Sequence, residues 1–513
     1  MKLWIKICLG LVLVIGALVG LVVAKNQPPQ LADPDYFGYY MEQDTQPEGR
    51  IGVFISHLVM PEDYREEDFF TLAGKSLQYI PWPIRDLVQV DQGLVLLDKK
   101  KFYEFEEFTP TELIDHTGSS VDVDGVPYID KYNAGEIEWF PPASGIHLSH
   151  GGFKFKDRKI GQMQSALKLA NKANHYYYGK GVGFKSGKVP HEAGNRHLVF
   201  SAMEKLEDKY GEIPWRWVTA DNFTMARAAM FELLDEGIDT LILAAPRPIY
   251  SHHEEFNGSI RHAMHYVHEW QEQNGHKEIK MIISPELSHF EPIYETHPSI
   301  IRDNLDAIPE GSSVKLVLSV HGMPWDNVPH EGWIKLAPRY VDRVMEEGRK
   351  VIAEYNFSRT EVVQSQDHFA DPHNNPNGTY LSTNKAFWDG VHDGYDYVVN
   401  VPIEFFAENT DTMFYHAMAN FEFFDDYDIY ETIDYPDWSV PYRKTYIQDG
   451  TKVSYGGLAA GKFADPIIEA FFMSLDSIVS QGMTPLGLEQ AKTDAVEQRI
   501  DSQEAVTEVT SGG

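Results

Sequence analysis

The sequence predicts an α/β protein of two units, each built on a mostly parallel sheet, with a cleft between them. Three observations predict it. Apolar runs of strand length alternate with amphipathic stretches of helix length from Arg50 to Phe406, the pattern that builds parallel sheets with right-handed crossovers. Several runs, such as TLILAAP and VKLVLSVHGMP, are continuously apolar, as strands buried on both faces are. The runs also share an ending, an apolar stretch closed by proline with a polar residue beside it, as in IGVFISHLVMP, TLILAAPRP and LVLSVHGMP. Polar groups therefore collect at the carboxyl ends of strands, where open α/β sheets bind ligands.

The chain of 513 residues, 43% hydrophobic, is long enough for two or three domains with real cores. Its formal charge of -33 excludes nucleic acid as a partner, because no extended basic surface exists to neutralise phosphates. Residues 7–24, ICLGLVLVIGALVGLVVA, carry no charge and follow Lys2 and Lys6. As a helix they would span ~27 Å, about one hydrocarbon core. Residues 1–25 are thus expected to be a single-pass transmembrane anchor, or else a signal segment cut after Ala24. The lysines predict a cytoplasmic amino end and an extracytoplasmic main domain, periplasmic in a Gram-negative cell and soluble there if the segment is cleaved. The one cysteine, Cys8, lies inside that run, which excludes a disulfide, a thiolate nucleophile and an iron–sulfur cluster from the rest.

Residues 26–49 are polar and proline-bearing and are expected to be a linker. Arg50 to Val59 supplies the first strand, with His57 near its end, and residues 62–150 look like an insertion. His147 and His150 within it lack a clear third ligand and are expected to be structural. A helical pattern starts at Lys159, HLVFSAM (197–203) and WRWVTAD (215–221) are expected strands, and TMARAAMFELLDEG is an amphipathic helix feeding TLILAAP. Arg261 to Gln273 is a helix. These elements make a first unit over residues 50–275.

A second unit is expected over 276–425: KEIKMIISPEL, VKLVLSVHGMP, TEVVQSQ and YDYVVNVPIEFF as strands, with HPSIIRDNLDAI, APRYVDRVMEEGRKVIAEYN and NKAFWDGVHDG as helices. Residues 426–495 are expected to be an extension: YRKTYIQDGTKVSYGG as a hairpin turning at Asp449-Gly450, then the helix ADPIIEAFFMSLDSIV. Residues 496–513 are expected to be disordered. His321, at the carboxyl end of the buried strand VKLVLSVH, is a candidate ligand or base by its place, the other reading being a satisfied loop histidine.

Several stretches together resemble the ferrochelatase family, which inserts iron into protoporphyrin. SVHGMP is similar to its strand-end S-x-H-[SG]-x-P, and VNVPIEFFAENTDTM resembles V-x-P-I-x-F-x-[SA]-[DE]-x-x-E-T-[LM]. ETHPSIIRDNL, VVQSQ and DEGIDTLILAAPRPIYS resemble further segments in the same order, so that the resemblance covers about residues 197–425. It implies two chelatase-type, Rossmann-like units facing a central cleft. It implies His321 as metal ligand or proton acceptor, Asp411 in the position of the catalytic glutamate, and Glu408 as the acidic residue before it. Tyr250, Ser251, Met323, Pro324, Gln364 and Ser365 would hold the ring, and His252 and His253 would add metal ligands from the opposite unit. Asp411 is one methylene shorter than the glutamate, and Gln366 stands where a basic residue is usual.

The expected substrates are a tetrapyrrole and a divalent metal, Fe2+ first, with no permanently bound cofactor. The chemistry is coherent, since a neutral imidazole binds borderline metals and a carboxylate accepts the two pyrrole protons. Two alternatives share this expectation of fold. One is a non-catalytic haem, porphyrin or metal-binding protein, and the other a cobalt or nickel chelatase for a corrin-type ring.

Overall fold

A computed structural model describes residues 15–21, 36–57, 137–140, 152–155, 191–219, 223–250, 260–321, 331–367, 381–406, 412, 420–421, 424–427, 438–456 and 461–486. Its strands are β1 (Ile51–His57), β2 (Ile137–Phe140), β3 (Gly152–Phe155), β4 (Trp215–Thr219), β5 (Thr240–Ala244), β6 (Lys280–Ile283), β7 (Ser313–His321), β8 (Arg359–Asp367), β9 (Tyr397–Pro402), β10 (Arg443–Gln448) and β11 (Thr451–Gly456). The α-helices used below are α1 (Tyr36–Glu42), α2 (His191–Tyr210), α3 (Phe223–Asp235), α4 (Arg261–Gln273), α5 (Thr296–Leu305), α6 (Glu331–Ile352), α7 (Thr383–His392) and α8 (Asp465–Gly482).

The first sheet has the order β4-β1-β5-β6 and is parallel throughout. The second has the order β10-β11-β9-β7-β8, parallel except for the β10–β11 hairpin. This is the mixed α/β architecture, with mostly parallel sheets, that the alternating pattern predicts. One face of each sheet feeds a shared core: Ile51, Val53 and Ile55 of β1, with Leu316, Leu318 and Val320 of β7, pack with α2, α5, α6 and α8. The opposite face of the second sheet packs Val317 and Val398 on Phe387 and Trp388 of α7. That approach is close: a Cβ on Gly390 would come within 2.4 Å of Val398 Cγ2, so glycine lets α7 lie down on β9.

Most expected elements stand where the pattern puts them, α4 and the Asp449-Gly450 hairpin among them. Asp449 and Gly450 have φ of 49° and 89°, the left-handed pair that a two-residue hairpin turn requires. Four expectations are corrected. HLVFSAM is helix, inside α2, because Leu198, Val199, Ala202, Met203 and Leu206 repeat at helical spacing and are all buried. The strand expected to open the second unit, Lys280–Ile283, is the edge of the first sheet, paired with β5, so the sheet boundary falls beyond 276. The expected extension is part of the fold: β11 pairs parallel with β9, and α8 packs back on α2, where Lys209 Nζ and Tyr210 Oη each lie 2.7 Å from Asp476 Oδ1.

The fourth concerns residues 26–49. Their second half is built rather than tethering, since α1 leads to Gln43, whose side-chain amide donates to Ile283 O and accepts from Ile283 N, both at 2.8 Å. Gln43 thereby closes the open edge of β6, a row of groups that otherwise invites pairing. Of the apolar run 7–24, residues 15–21 are described; they are helical and exposed. Among the described residues no helix is long and apolar enough to cross a membrane. β2, within the expected insertion 62–150, and β3, just after it, form a separate antiparallel pair; His147, His150, the helix expected from Lys159 and the tail 496–513 lie outside the described residues.

Candidate functional site

The carboxyl ends of the two sheets meet through a charged contact. β5 runs into Pro246-Arg247-Pro248, and the chain is pinned there by Leu287 N donating to Arg247 O at 3.0 Å. β9 runs past Pro402, and Ile403 N donates to Ser319 O at 2.8 Å, which fixes the exit of β9 against β7. Arg247 and Glu404 are then brought together, Nη2 to Oε1 at 3.1 Å, with side chains 3% and 1% exposed. The guanidinium also lies 4.3 Å from the Phe405 ring centroid, a planar cation on a π face.

Below this contact sits a neutral polar pair. His297 is fully buried on α5; its Nε2 is bonded to the Tyr340 hydroxyl, which donates to Ile403 O at 2.7 Å. Burial pushes the His297 imidazole down to about 3, and it pushes Tyr340 well above the usual phenol range. Both are therefore neutral across the physiological range. The His297 ring stacks on Phe406 with centroids 6.0 Å apart, so the pair supports the segment that leaves β9.

In the second sheet, β7 ends at His321 and β8 at Asp367, and these two residues are register partners. Asp367 is buried, and Asn420 Nδ2 donates to its Oδ1 at 2.8 Å. Two residues earlier, Ser365 Oγ lies 2.8 Å from Thr383 Oγ1. Asn384, one residue further along α7, donates from Nδ2 to Asn420 O at 3.1 Å. Gln366 Oε1 and Asn384 Oδ1 are buried acceptors without a hydrogen-bond partner among the described residues.

Of the residues expected to form the site, the structure places four. His321 is at the strand end that the pattern gave it. Gln364 is half-buried and Ser365 buried on β8. Tyr250 is fully buried, its hydroxyl 2.9 Å from Ser284 Oγ and 3.2 Å from Ala245 O. It therefore underpins its loop from inside the first core rather than presenting a face to a ring. Ser251, His252, His253, Met323, Pro324, Glu408 and Asp411 lie outside the described residues. Among the described residues no group of three or more His, Cys, Asp or Glu is gathered to hold a metal.

Sequence reasoning missed the Arg247 pairing, the His297–Tyr340 pair and Asp367. Asp367 had a usable signal, since period-two alternation puts it on the face of Ser365 at the end of the same strand. Arg247 had none, because its partner is 157 residues away.

A family model described as Ferrochelatase matches residues 164–438, more than half of the chain. No curated protein matches. Among solved structures the chain is similar to a putative LacI transcriptional regulator from Bacteroides fragilis, at 11% identity over 41% of this chain and 62% of that one, TM-score 0.18. It is also similar to a TorS sensor domain–TorT complex without ligand, at 12% identity over 41% and 61%, TM-score 0.19. The chain spans about three fifths of those solved chains, and likeness at that level carries no structural argument.

Proposed function

Because the chain belongs to the ferrochelatase family, a family of tetrapyrrole metal chelatases, we propose that it inserts a divalent metal, ferrous iron first, into a porphyrin, or removes one. The observation that carries this reading is His321 at the carboxyl end of β7, the edge at which the fold presents ligands. In the proposed reaction a neutral His321 imidazole takes the metal from water and delivers it to the four ring nitrogens. Asp411 accepts the two pyrrole protons, with Glu408 beside it. Met323, Pro324 and Gln364 hold the flat ring mainly by buried area. His252 and His253 would add ligands from the first unit.

The shortened carboxylate at Asp411 favours a second reading, a carrier of haem or porphyrin that does not metallate. Mixing the purified chain with porphyrin and Fe(II), Co(II) or Zn(II), and following the absorption spectrum, separates the two. An enzyme metallates; His321→Ala and Asp411→Asn each lower the rate at least about 100-fold, in the range of a lost acid–base group, while ring affinity holds. A carrier shows no metallation, and His321→Ala weakens haem binding more than binding of the metal-free ring, because only haem loses an axial ligand. An alanine variant equal to wild type in all three measurements removes His321 from both readings.

Residues 7–24 are proposed to tether the chain with its main domain outside the cytoplasm. Fractionation is expected to find the full-length chain in membranes. A soluble form beginning near Lys25 would show a cleaved leader instead.

A further inference from the structure

Asp367 is a carboxylate 1% exposed at the end of a strand, and nothing in the reaction proposed above uses it. Burying an ionisable group is costly unless hydrogen bonds and charges compensate, so it is seldom kept without a task. Its surroundings are specific. Alternation along β8 puts Asp367 on the face of Ser365, and Ser365 Oγ meets Thr383 of α7 at 2.8 Å, so this is the α7 face of the sheet. Along β7 the same face is marked by Val317, which packs with Phe387 and Trp388 of α7. Positions 317, 319 and 321 alternate onto it together. Positions 321 and 367, being register partners, therefore share one face and one edge of one parallel pair.

The carboxylate is also held. Asn420 Nδ2 donates to Asp367 Oδ1 at 2.8 Å, and Asn420 O in turn accepts from Asn384 Nδ2 at 3.1 Å. Asn420 and Asn384 are both buried, so moving the carboxylate would break a buried hydrogen bond. A carboxylate in that place is what a metal-handling histidine uses: it fixes which ring nitrogen carries the proton and leaves the other free to bind metal.

We propose that Asp367 is a positioning residue for His321, its carboxylate on the neighbouring strand holding the imidazole in the orientation and tautomer that receive the divalent metal. The inference rests on the reading of His321 as the metal-handling group. It concerns the strand pair β7–β8 alone and does not depend on Asp411.

The test uses the full chain, with Co(II) as probe because its visible absorption reports binding directly, and with metallation of porphyrin as the second readout. Asp367→Asn keeps the shape of the side chain and an oxygen for Asn420, so a merely structural role predicts wild-type behaviour. The positioning role predicts Co(II) affinity and the rate constant for metallation lowered about 10–100-fold, as for other lost outer partners of metal-binding histidines. The KM for porphyrin and the melting temperature should be unchanged. Asp367→Glu should recover part of the loss. The double variant His321→Ala with Asp367→Asn should be no worse than His321→Ala alone, because the two residues act as one unit.

Asn420→Ala, which leaves β8 intact, should show the same defect about threefold in size and keeps the proposal testable if Asp367→Asn does not fold. Asp367→Asn within twofold of wild type, beside a His321→Ala that loses metal binding, overturns this inference and leaves the functional reading standing. Full additivity in the double variant overturns it too. A His321→Ala chain that binds Co(II) and metallates like wild type overturns the functional reading itself, and this inference with it.

Discussion

At the carboxyl end of the first sheet the polar side chains are taken up within the fold: Tyr250 by Ser284 and Ala245, Glu286 by Tyr250 N at 3.2 Å and Ser288 Oγ at 3.0 Å, Arg247 by Glu404. At the carboxyl end of the second sheet, Gln366 Oε1 and Asn384 Oδ1 are buried with no partner among the described residues, and Asp367 stands beside position 321. Buried polar groups are ordinarily satisfied, and an exception asks for a reason. The contrast teaches that each buried polar side chain named at the first edge is bonded to another part of the fold, as scaffold is, whereas the second edge keeps buried acceptor oxygens without a described partner at the place where chemistry is proposed.

Breaking the scaffold edge should have the largest effect. Arg247→Met or Glu404→Gln removes the charged partner of a buried group, and each is expected to cost about 3–5 kcal/mol in denaturant unfolding. The double variant Arg247→Met with Glu404→Leu should recover most of that, since a buried pair replaced by packed apolar groups is often neutral. Single variants as stable as wild type would show that this edge is not closed.

The foundation beneath the second edge is tested by pH. His297 is held neutral when folded, its imidazole near 3 against 6.5 when free, so the unfolded chain takes the proton first as pH falls. Its contribution to stability is complete above about 6.5 and declines between there and about 3, by about 1.4 kcal/mol for each pH unit. His297→Phe, which keeps the stacking on Phe406, should flatten that slope in unfolding curves from pH 7 to 4. An unchanged slope would assign acid sensitivity elsewhere.

The smallest effect sharpens the boundary between support and site. Ser365→Ala removes the hydroxyl bonded to Thr383 and is expected to cost about 1 kcal/mol, with porphyrin affinity unchanged. A tenfold loss of affinity at unchanged stability would place Ser365 against the ring after all.

The first unit was legible as elements but not as a sheet. β1, β4, β5 and α4 follow from runs and periods in the chain itself, whereas β6 reads as the opening of the second unit and pairs with β5 of the first sheet, because membership depends on which strand it pairs with rather than on its own residues. Gln43 shows the same limit: in a polar, proline-bearing stretch it looks like tether, and only its two hydrogen bonds to Ile283 reveal a closed edge. HLVFSAM reads as strand over residues 197–203, and the longer helical repeat through Leu206 on the packed face of α2 decides otherwise. At the site, His321 was legible because a strand followed by glycine and proline announces its own end. Arg247 and Glu404 were not, because no local pattern encodes a contact across 157 residues.

By itself the sequence determined what short-range sterics and side-chain periodicity determine: two α/β units, the hairpin turn at Asp449-Gly450, and a histidine delivered to a strand end in a pattern resembling ferrochelatases. Tertiary structure alone decided which strands are neighbours, and with them that Asp367 stands opposite His321 and that Tyr250 faces inward. Strand pairing and burial are set by the free energy of the whole packed core, to which residues far apart in the chain contribute together.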